Sequence, residues 1–265
     1  MRARAWLGSF WRCLAADVLK LRRTRALALP LLLPLAPALV VFFYMLQQGP
    51  ESAGLGPVPT TVEAIVAIWA SFLGPILAAT MCSLVAGIEH ANRGWKELFA
   101  TSLPRSVVFL SKFLIAVLLW MASHVALAGS IALTVGGLKA TRGDGFPGPL
   151  EPGILLGFVS LVCFAGLLLL TVHMALALRW QGFTLNLGIA LGGLFCGFAL
   201  TESIARNFYP WSAPAAVQNL ALPLLFGFKG RAGAGHVAAV LGIDGLAAAV
   251  TLVACTAWLS SRDVT

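Results

Sequence analysis

Three ionisable side chains lie well inside long apolar stretches of this 265-residue chain: His124, His173 and Asp244. In a lipid bilayer such groups are costly, and they often mark a path for a polar substrate, an ion or a proton. Neither histidine has a metal-ligand partner at i+3 or i+4, which favours a hydrogen-bonded packing role for both. Asp244 is predicted to lie about 12 Å along a helix from His236. It either faces a polar path or pairs with another polar group inside the bundle.

The sequence contains none of the common catalytic or nucleotide-binding motifs. It has no Gly-Lys pair, and therefore no phosphate-binding loop of the GxxxxGK[ST] type; GxSxG and HExxH are also absent. The five cysteines form no CxxC pair, so neither a metal site nor a disulfide is indicated. We predict no catalytic residue, metal or cofactor in this chain. An intramembrane enzyme is an alternative that no motif supports.

The composition is typical of a polytopic membrane protein. The chain is 59% apolar and 11% charged, with a mean hydropathy of +0.91, whereas soluble domains carry about 25% charged residues. The net charge is +8, but the basic residues lie at the ends of apolar runs, so membrane topology explains them better than nucleic-acid binding. The predicted fold class is an all-α polytopic membrane protein with six transmembrane helices and an N-terminal interfacial amphipathic helix.

Helical periodicity divides the chain into two parts. Residues 1–25 are predicted to form an amphipathic helix in the membrane interface, and residues 26–265 a six-span transmembrane domain. The predicted spans are 26–46, 64–87, 113–138, 153–178, 183–200 and 236–259. Residues 214–228 are apolar but too short to cross a bilayer of about 30 Å at about 1.5 Å per residue. They are predicted to form a re-entrant or interfacial segment on the outer side.

The distribution of lysine and arginine orients the predicted bundle. With the N-terminus inside, 13 of the 18 basic residues fall in inner segments and 5 in outer segments. This asymmetry predicts that both termini are cytoplasmic. Residues 89–112 then form a cytoplasmic segment between the second and third spans, and residues 93–101 favour a short amphipathic helix that is stopped by Pro104. A solvated loop that only connects two spans is the alternative.

The segment 89–112 also carries a local pattern. Glu89 at the end of the second predicted span is followed by Gly94, Trp95, Lys96, Leu98, Leu103, Pro104, Arg105 and Lys112. Together with the interfacial helix, the spans and the broken apolar segment before the last span, this pattern resembles the permease subunits of type-2 ABC exporters. In that family an acidic residue precedes Gly-Thr-x-x-x-Leu-Leu, Pro-x-Ser-Arg and Lys; here Trp95 replaces the threonine, and the Arg and Ser after Pro104 are exchanged. The chain length resembles the small permeases of lantibiotic and other antibiotic self-protection systems.

The resemblance implies an exporter permease of a bacterial-type inner membrane that is driven by another protein. Separate cytosolic ABC ATPase subunits would bind ATP and Mg, and a second permease copy or a sister permease would complete the channel. The residues implied to couple the permease to the ATPase are Glu89, Arg93, Gly94, Trp95, Lys96, Glu97, Leu98, Leu103 and Pro104. The scarcity of charge in the spans favours a hydrophobic or amphipathic cargo, such as a peptide, an antibiotic or a lipid-like molecule. A proton-coupled secondary transporter that uses Asp244 with His124 or His173 is the alternative.

Overall fold

The computed structural model describes residues 2–22, 27–47, 56–91, 104–180, 182–227 and 233–261. Within these ranges the chain forms helices and no strand. By length and composition, five helical stretches could cross a membrane: Ala28–Gln47, Pro57–Ile88, Arg105–Gly145, Pro152–Arg179 and Ala234–Trp258. The predicted all-α polytopic fold class is confirmed.

The described ranges contain eleven α-helices. In chain order they are α1 (Arg2–Arg22), α2 (Ala28–Leu32), α3 (Leu35–Gln47), α4 (Pro57–Ile68), α5 (Gly74–Ala91), α6 (Arg105–Arg142), α7 (Pro152–Ala165), α8 (Leu167–Arg179), α9 (Phe183–Ala199), α10 (Ala213–Leu225) and α11 (Ala234–Ser261). A π-helical turn, Trp69–Leu73, joins α4 to α5, and a 3-10 turn, Ile204–Asn207, precedes α10.

Proline and glycine explain the start of the second span and the break in the first. The first predicted span is divided between α2 and α3 at Leu33 and Pro34, because proline lacks the N–H that would continue the helix. The second begins at Pro57 rather than at residue 64. Gly56 adopts a positive φ of 84°, and Pro57 occupies the first turn of α4, where a missing N–H costs nothing.

The third span differs most from its prediction. Residues 105–112 were expected in the connecting segment, but they form the first two turns of α6, which continues to Arg142. The charges in this stretch suggested a solvated loop. In the structure Val107 and Val108 are buried with Cys13 of α1, so helix packing extends beyond the apolar run. Lys112 is accommodated by an ion pair with Asp17.

The fourth span is interrupted, a feature that its uniform apolar composition did not predict. α7 ends at Ala165 and α8 begins at Leu167, with Gly166 between them. A Cβ at Gly166 would lie 2.4 Å from the Trp120 ring, so the close approach of α6 requires glycine here. α9, in the place of the fifth predicted span, has 17 residues, which is short for a helix that crosses a bilayer.

Contacts between helix ends show how the bundle is arranged. The guanidinium of Arg142 at the end of α6 donates to the carbonyl of Leu46 at the end of α3, at 2.8 Å. Arg179 at the end of α8 lies over the ring of Trp258 near the end of α11, 5.8 Å from its centroid. α10 begins beside Gly197 of α9 and ends at Leu225 near the connection before α7. Successive long helices therefore run in opposite directions, with α10 filling one end of the bundle.

Candidate functional site

A buried ion pair joins α1 to the first turns of α6. Lys112 Nζ lies 3.1 Å from Asp17 Oδ1, and Ser111 Oγ donates to Asp17 Oδ2 at 2.8 Å. The lysine is only 1% exposed. Both carboxylate oxygens are thus satisfied, which is the condition under which a buried charge pair is tolerated. We call Asp17, Ser111 and Lys112 the α1–α6 junction.

Cys13 of α1 also packs against α6, next to the α1–α6 junction. Its Sγ lies 3.2 Å from Ser111 Oγ, and the side chain is buried against Val107 and Val108. Burial raises the pKa of the Cys13 thiol, an effect partly offset by the hydrogen bond with Ser111. The thiol is therefore a packing group rather than a reactive thiolate.

The α1–α6 junction was missed by sequence analysis, although a signal was present. Asp17 is the only acidic residue of α1, and it lies one turn from Cys13 and one turn from Leu21 on the side that becomes buried. An acidic residue among apolar neighbours on an amphipathic helix predicts a buried partner of opposite charge. Only the packed structure identifies that partner as Lys112.

The predicted coupling residues lie next to this junction in the sequence. Arg93, Gly94, Trp95, Lys96, Glu97, Leu98 and Leu103 lie outside the described residues. Glu89 is in the last turn of α5, and Pro104 precedes α6 with an extended backbone and an exposed side chain. The described chain thus ends with α5 at Ala91, two residues after Glu89, and resumes at Pro104, two helical turns before Lys112.

His124 is held in an aromatic cluster. Trp69 Nε1 donates to His124 Nε2 at 3.3 Å, and His124 Nδ1 lies 2.9 Å from the carbonyl of Trp120. Because the indole N–H can only donate, Nε2 accepts and the ring proton is on Nδ1. Trp69 opens the π-helical turn, a local irregularity that often accompanies functional sites. His124 is therefore a neutral ring with both nitrogens hydrogen-bonded.

His173 belongs to a second polar cluster, centred on Asn186. Its Nδ1 lies 2.7 Å from Asn186 Oδ1, and Asn186 Nδ2 donates to Ser83 Oγ at 2.9 Å and to the carbonyl of Ala79 at 3.1 Å. These bonds tie α5, α8 and α9 together. The Trp211 ring packs edge-on against His173 at 5.5 Å between centroids. Within the described ranges, neither His173 Nε2 nor Trp211 Nε1 has a hydrogen-bond partner.

Asp244 is the most isolated of the three predicted intramembrane groups. It is 2% exposed, and neither of its carboxylate oxygens has a hydrogen-bond partner among the described residues. Val240 and Ala248, one turn away on either side, are also buried, so Asp244 is on the packed face of α11. The pairing that sequence analysis allowed is not present in the part of the chain that the structure describes.

A small cavity with a mixed lining lies beside Trp211. It has a volume of about 140 Å³ and lies between the π-helical turn, α9, the 3-10 turn and α10; its lining includes Ser71, Thr201, Arg206, Trp211 and Asn219. Arg206 donates to the carbonyl of Thr201 at 2.9 Å, and Ser212 Oγ donates to the carbonyl of Arg206 at 2.7 Å. These hydrogen bonds hold the irregular segment between α9 and α10, which contributes Arg206 and Trp211 to the cavity lining. Sequence analysis did not assign this cavity, because its residues come from separate stretches of the chain.

These features define a class: an all-helical membrane protein with buried polar clusters between its spans and a charged helical junction at one end. A family model described as "ABC-2 family transporter protein" matches residues 13–197. The chain belongs to this family and is a membrane subunit of an ABC transporter, as its resemblance to type-2 permeases predicted. No curated protein matches the chain.

Proposed function

We propose that this chain is the permease of an ATP-driven exporter in a bacterial-type inner membrane, with both termini cytoplasmic. A separate cytosolic ABC ATPase binds ATP and Mg, and a second permease copy or a sister permease completes the channel. The cargo is hydrophobic or amphipathic: a peptide, an antibiotic or a lipid-like molecule, as in antibiotic self-protection. The observation that carries the proposal is the α1–α6 junction, which anchors the helix immediately following the predicted coupling segment.

The proposed coupling depends on α6 being a rigid helix. A chain without a phosphate-binding loop takes its energy from a partner or from an ion gradient. A partner can drive a conformational change only if it binds the two states differently. Residues 92–103 connect α5 to α6, and α6 is a continuous helix of 38 residues. A force on this connection is therefore transmitted along α6 and, through Asp17 and Lys112, to α1. Trp95 and Leu98 are the proposed apolar contacts to the ATPase, and Glu89 orients the segment.

The proposed translocation path includes Asp244 and the cavity beside Trp211. A buried carboxylate without a partner is costly and suits a cationic group of an amphipathic cargo. Arg206 and Trp211 supply a polar and an aromatic surface nearer the outer end. His124 and His173, which are held by hydrogen bonds, act on the path by positioning Trp69 and Trp211.

Charge placed in the coupling segment tests the proposal. In Trp95→Glu and Leu98→Glu, we expect the permease to insert normally but to lose co-purification with its ATPase and transport in proteoliposomes. A matched control is Trp180→Glu, which places the same charge on an exposed residue of a different connection. If both coupling variants retain cargo-stimulated ATP hydrolysis and transport at wild-type rates, the coupling assignment is wrong.

A proton-coupled secondary transporter is a second candidate, favoured by the Asp244 carboxylate, which has no hydrogen-bond partner among the described residues. The two candidates differ in their energy source. Transport that a protonophore abolishes, and that continues after ATP depletion, would support the proton-coupled function. Transport that stops with ATP depletion and survives the protonophore supports the ABC exporter.

A further inference from the structure

A wide apolar groove lies between α1 and part of the membrane-spanning bundle, beside the contact that α1 makes with α6. It has a volume of about 640 Å³ and is lined by α1, α6, α8 and α11, within the range of about 300–1,000 Å³ that is typical of small-molecule pockets. We call it the α1 groove. Its lining includes Trp6, Phe10, Leu114, Leu167, Ala248 and Ala249.

The chemistry of the lining specifies a hydrocarbon occupant. Thr171 is the one hydroxyl-bearing residue of the lining, and its Oγ1 donates to the carbonyl of Leu167 in its own helix at 2.8 Å. Apart from the indole N–H groups of Trp6 and Trp11 on α1, the other lining side chains are hydrocarbon. An apolar chain can therefore lie against most of the groove without leaving a lining hydrogen-bonding group unsatisfied.

Small residues on α11 keep the groove open. Gly245, Ala248 and Ala249 are three of the four α11 residues that line it, and a Cβ built at Gly245 meets nothing within 4 Å. On the opposite side the Trp6 and Phe10 rings are stacked at 5.7 Å between centroids. The bundle's own side chains thus leave a space between an aromatic wall and a wall of small residues.

The charge of α1 selects the headgroup of the occupant. The helix contains five basic residues, namely Arg2, Arg4, Arg12, Lys20 and Arg22, and one acidic residue, Asp17. Asp17 is paired with Lys112, and five basic residues against one acidic residue give α1 a positive formal charge. Basic residues beside a membrane surface attract anionic lipids, and tryptophans such as Trp6 and Trp11 favour the same depth.

We infer that the α1 groove binds one acyl chain of an anionic phospholipid, whose headgroup lies beside the basic residues of α1. A second copy of this chain fits less well. Both walls of the groove belong to one chain, and a second α1 would bring like charges together, whereas an anionic lipid brings the opposite charge.

Blocking the groove tests this inference. Ala249 lines the groove and is exposed, and its neighbour Val250 is exposed but lies outside it; Ala249→Trp fills the groove, and Val250→Trp is the matched control. The intact protein is equilibrated in mixed micelles that contain equal amounts of phosphatidylglycerol and phosphatidylethanolamine, then examined by native mass spectrometry. We expect wild type and Val250→Trp to retain one phosphatidylglycerol per chain, and Ala249→Trp to retain at least about tenfold less.

Three results would overturn the inference. The first is equal lipid retention by Ala249→Trp and Val250→Trp, which would place the lipid elsewhere. The second is equal retention of the two lipids, which would remove the role of the charge on α1. The third is a shift from dimer to monomer caused by Ala249→Trp with unchanged lipid retention, which would assign the groove to a second copy.

Discussion

Asp17 of α1 and Lys112 of α6, which are 95 residues apart in the sequence, form an ion pair of 3.1 Å. Lys112 follows the connection from α5 to α6, and Asp17 lies on the buried face of α1. The pair therefore fixes α1 to the helix through which the proposed coupling segment acts. Since both side chains are buried, its loss has consequences that an exposed surface pair would not have.

Removing one partner of this pair should destabilise the protein. In Lys112→Met the Asp17 carboxylate remains buried without its counter-charge, at an expected cost of about 3–5 kcal/mol. The measurement is thermal unfolding in detergent. The exposed Arg12→Met on α1 serves as the control, and the double variant Asp17→Asn with Lys112→Met should regain most of the loss because it leaves no unpaired charge. Equal midpoints for Lys112→Met and Arg12→Met would contradict the role of the pair.

Cys13 should report whether α1 is packed on α6. Burial raises the pKa of its thiol above the ordinary value of 9.0, so the reactive thiolate is scarce at neutral pH. In a variant whose other four cysteines are replaced, maleimide labelling of Cys13 should stay slow at pH 7 to 8 and increase only at higher pH. Adding Lys112→Met should accelerate labelling at pH 7, because a detached α1 exposes the thiol and returns its pKa toward the ordinary value. Unchanged labelling would show that the pair does not hold the helix.

Neighbouring glycines in α9 should differ in their tolerance of a methyl group. A Cβ at Gly193 would lie 2.4 Å from the Trp211 ring, whereas a Cβ at Gly192 meets nothing within 4 Å. We expect Gly193→Ala to cost about 1–3 kcal/mol through overpacking and Gly192→Ala to be neutral or slightly stabilising. The unfolding midpoints of the two variants give the comparison. Combining Gly193→Ala with Trp211→Leu should recover stability; failure to do so would mean that another contact limits the site.

We expect Asp244 to lower the stability of the protein and to be required for transport. Asp244→Asn removes the charge from a buried carboxylate with no partner in the described structure, so we expect the unfolding midpoint to rise. Because the proposed path uses that charge, efflux of a cationic lipophilic dye from cells that also express the ATPase should fall at least about tenfold, roughly 1.4 kcal/mol in the barrier. Thr251→Val on the same helix is the control. Wild-type efflux by Asp244→Asn would remove the residue from the path.

Some features of the fold were accessible from residue type alone. Long apolar runs predicted the membrane helices, because the length and composition of such a run depend only on neighbouring residues. The start of α6 was predicted too late. Lys112 appeared to require water, and only packing against α1 supplied Asp17 as an alternative to solvent.

For the candidate sites, the sequence marked the residues themselves but not their neighbours. His124, His173 and Asp244 were recognisable as polar groups in apolar stretches, whereas the residues that surround them in the fold were not. Trp69 is 55 residues from His124, Asn186 lies on a different helix from His173, and the glycines that admit Trp120 and Trp211 have no special sequence context. Such contacts depend on helix packing, so periodicity cannot identify them.

Residue types alone identify a helical membrane protein, because continuous apolar runs of about 20 residues are long enough to cross a bilayer as helices, with their backbone groups hydrogen-bonded within the helix. The local pattern around Glu89 and Pro104 also indicated the family. Which buried charges are neutralised depends on helix packing. Lys112 lies against α1 and pairs with Asp17, whereas the helices beside Asp244 offer its carboxylate no partner among the described residues.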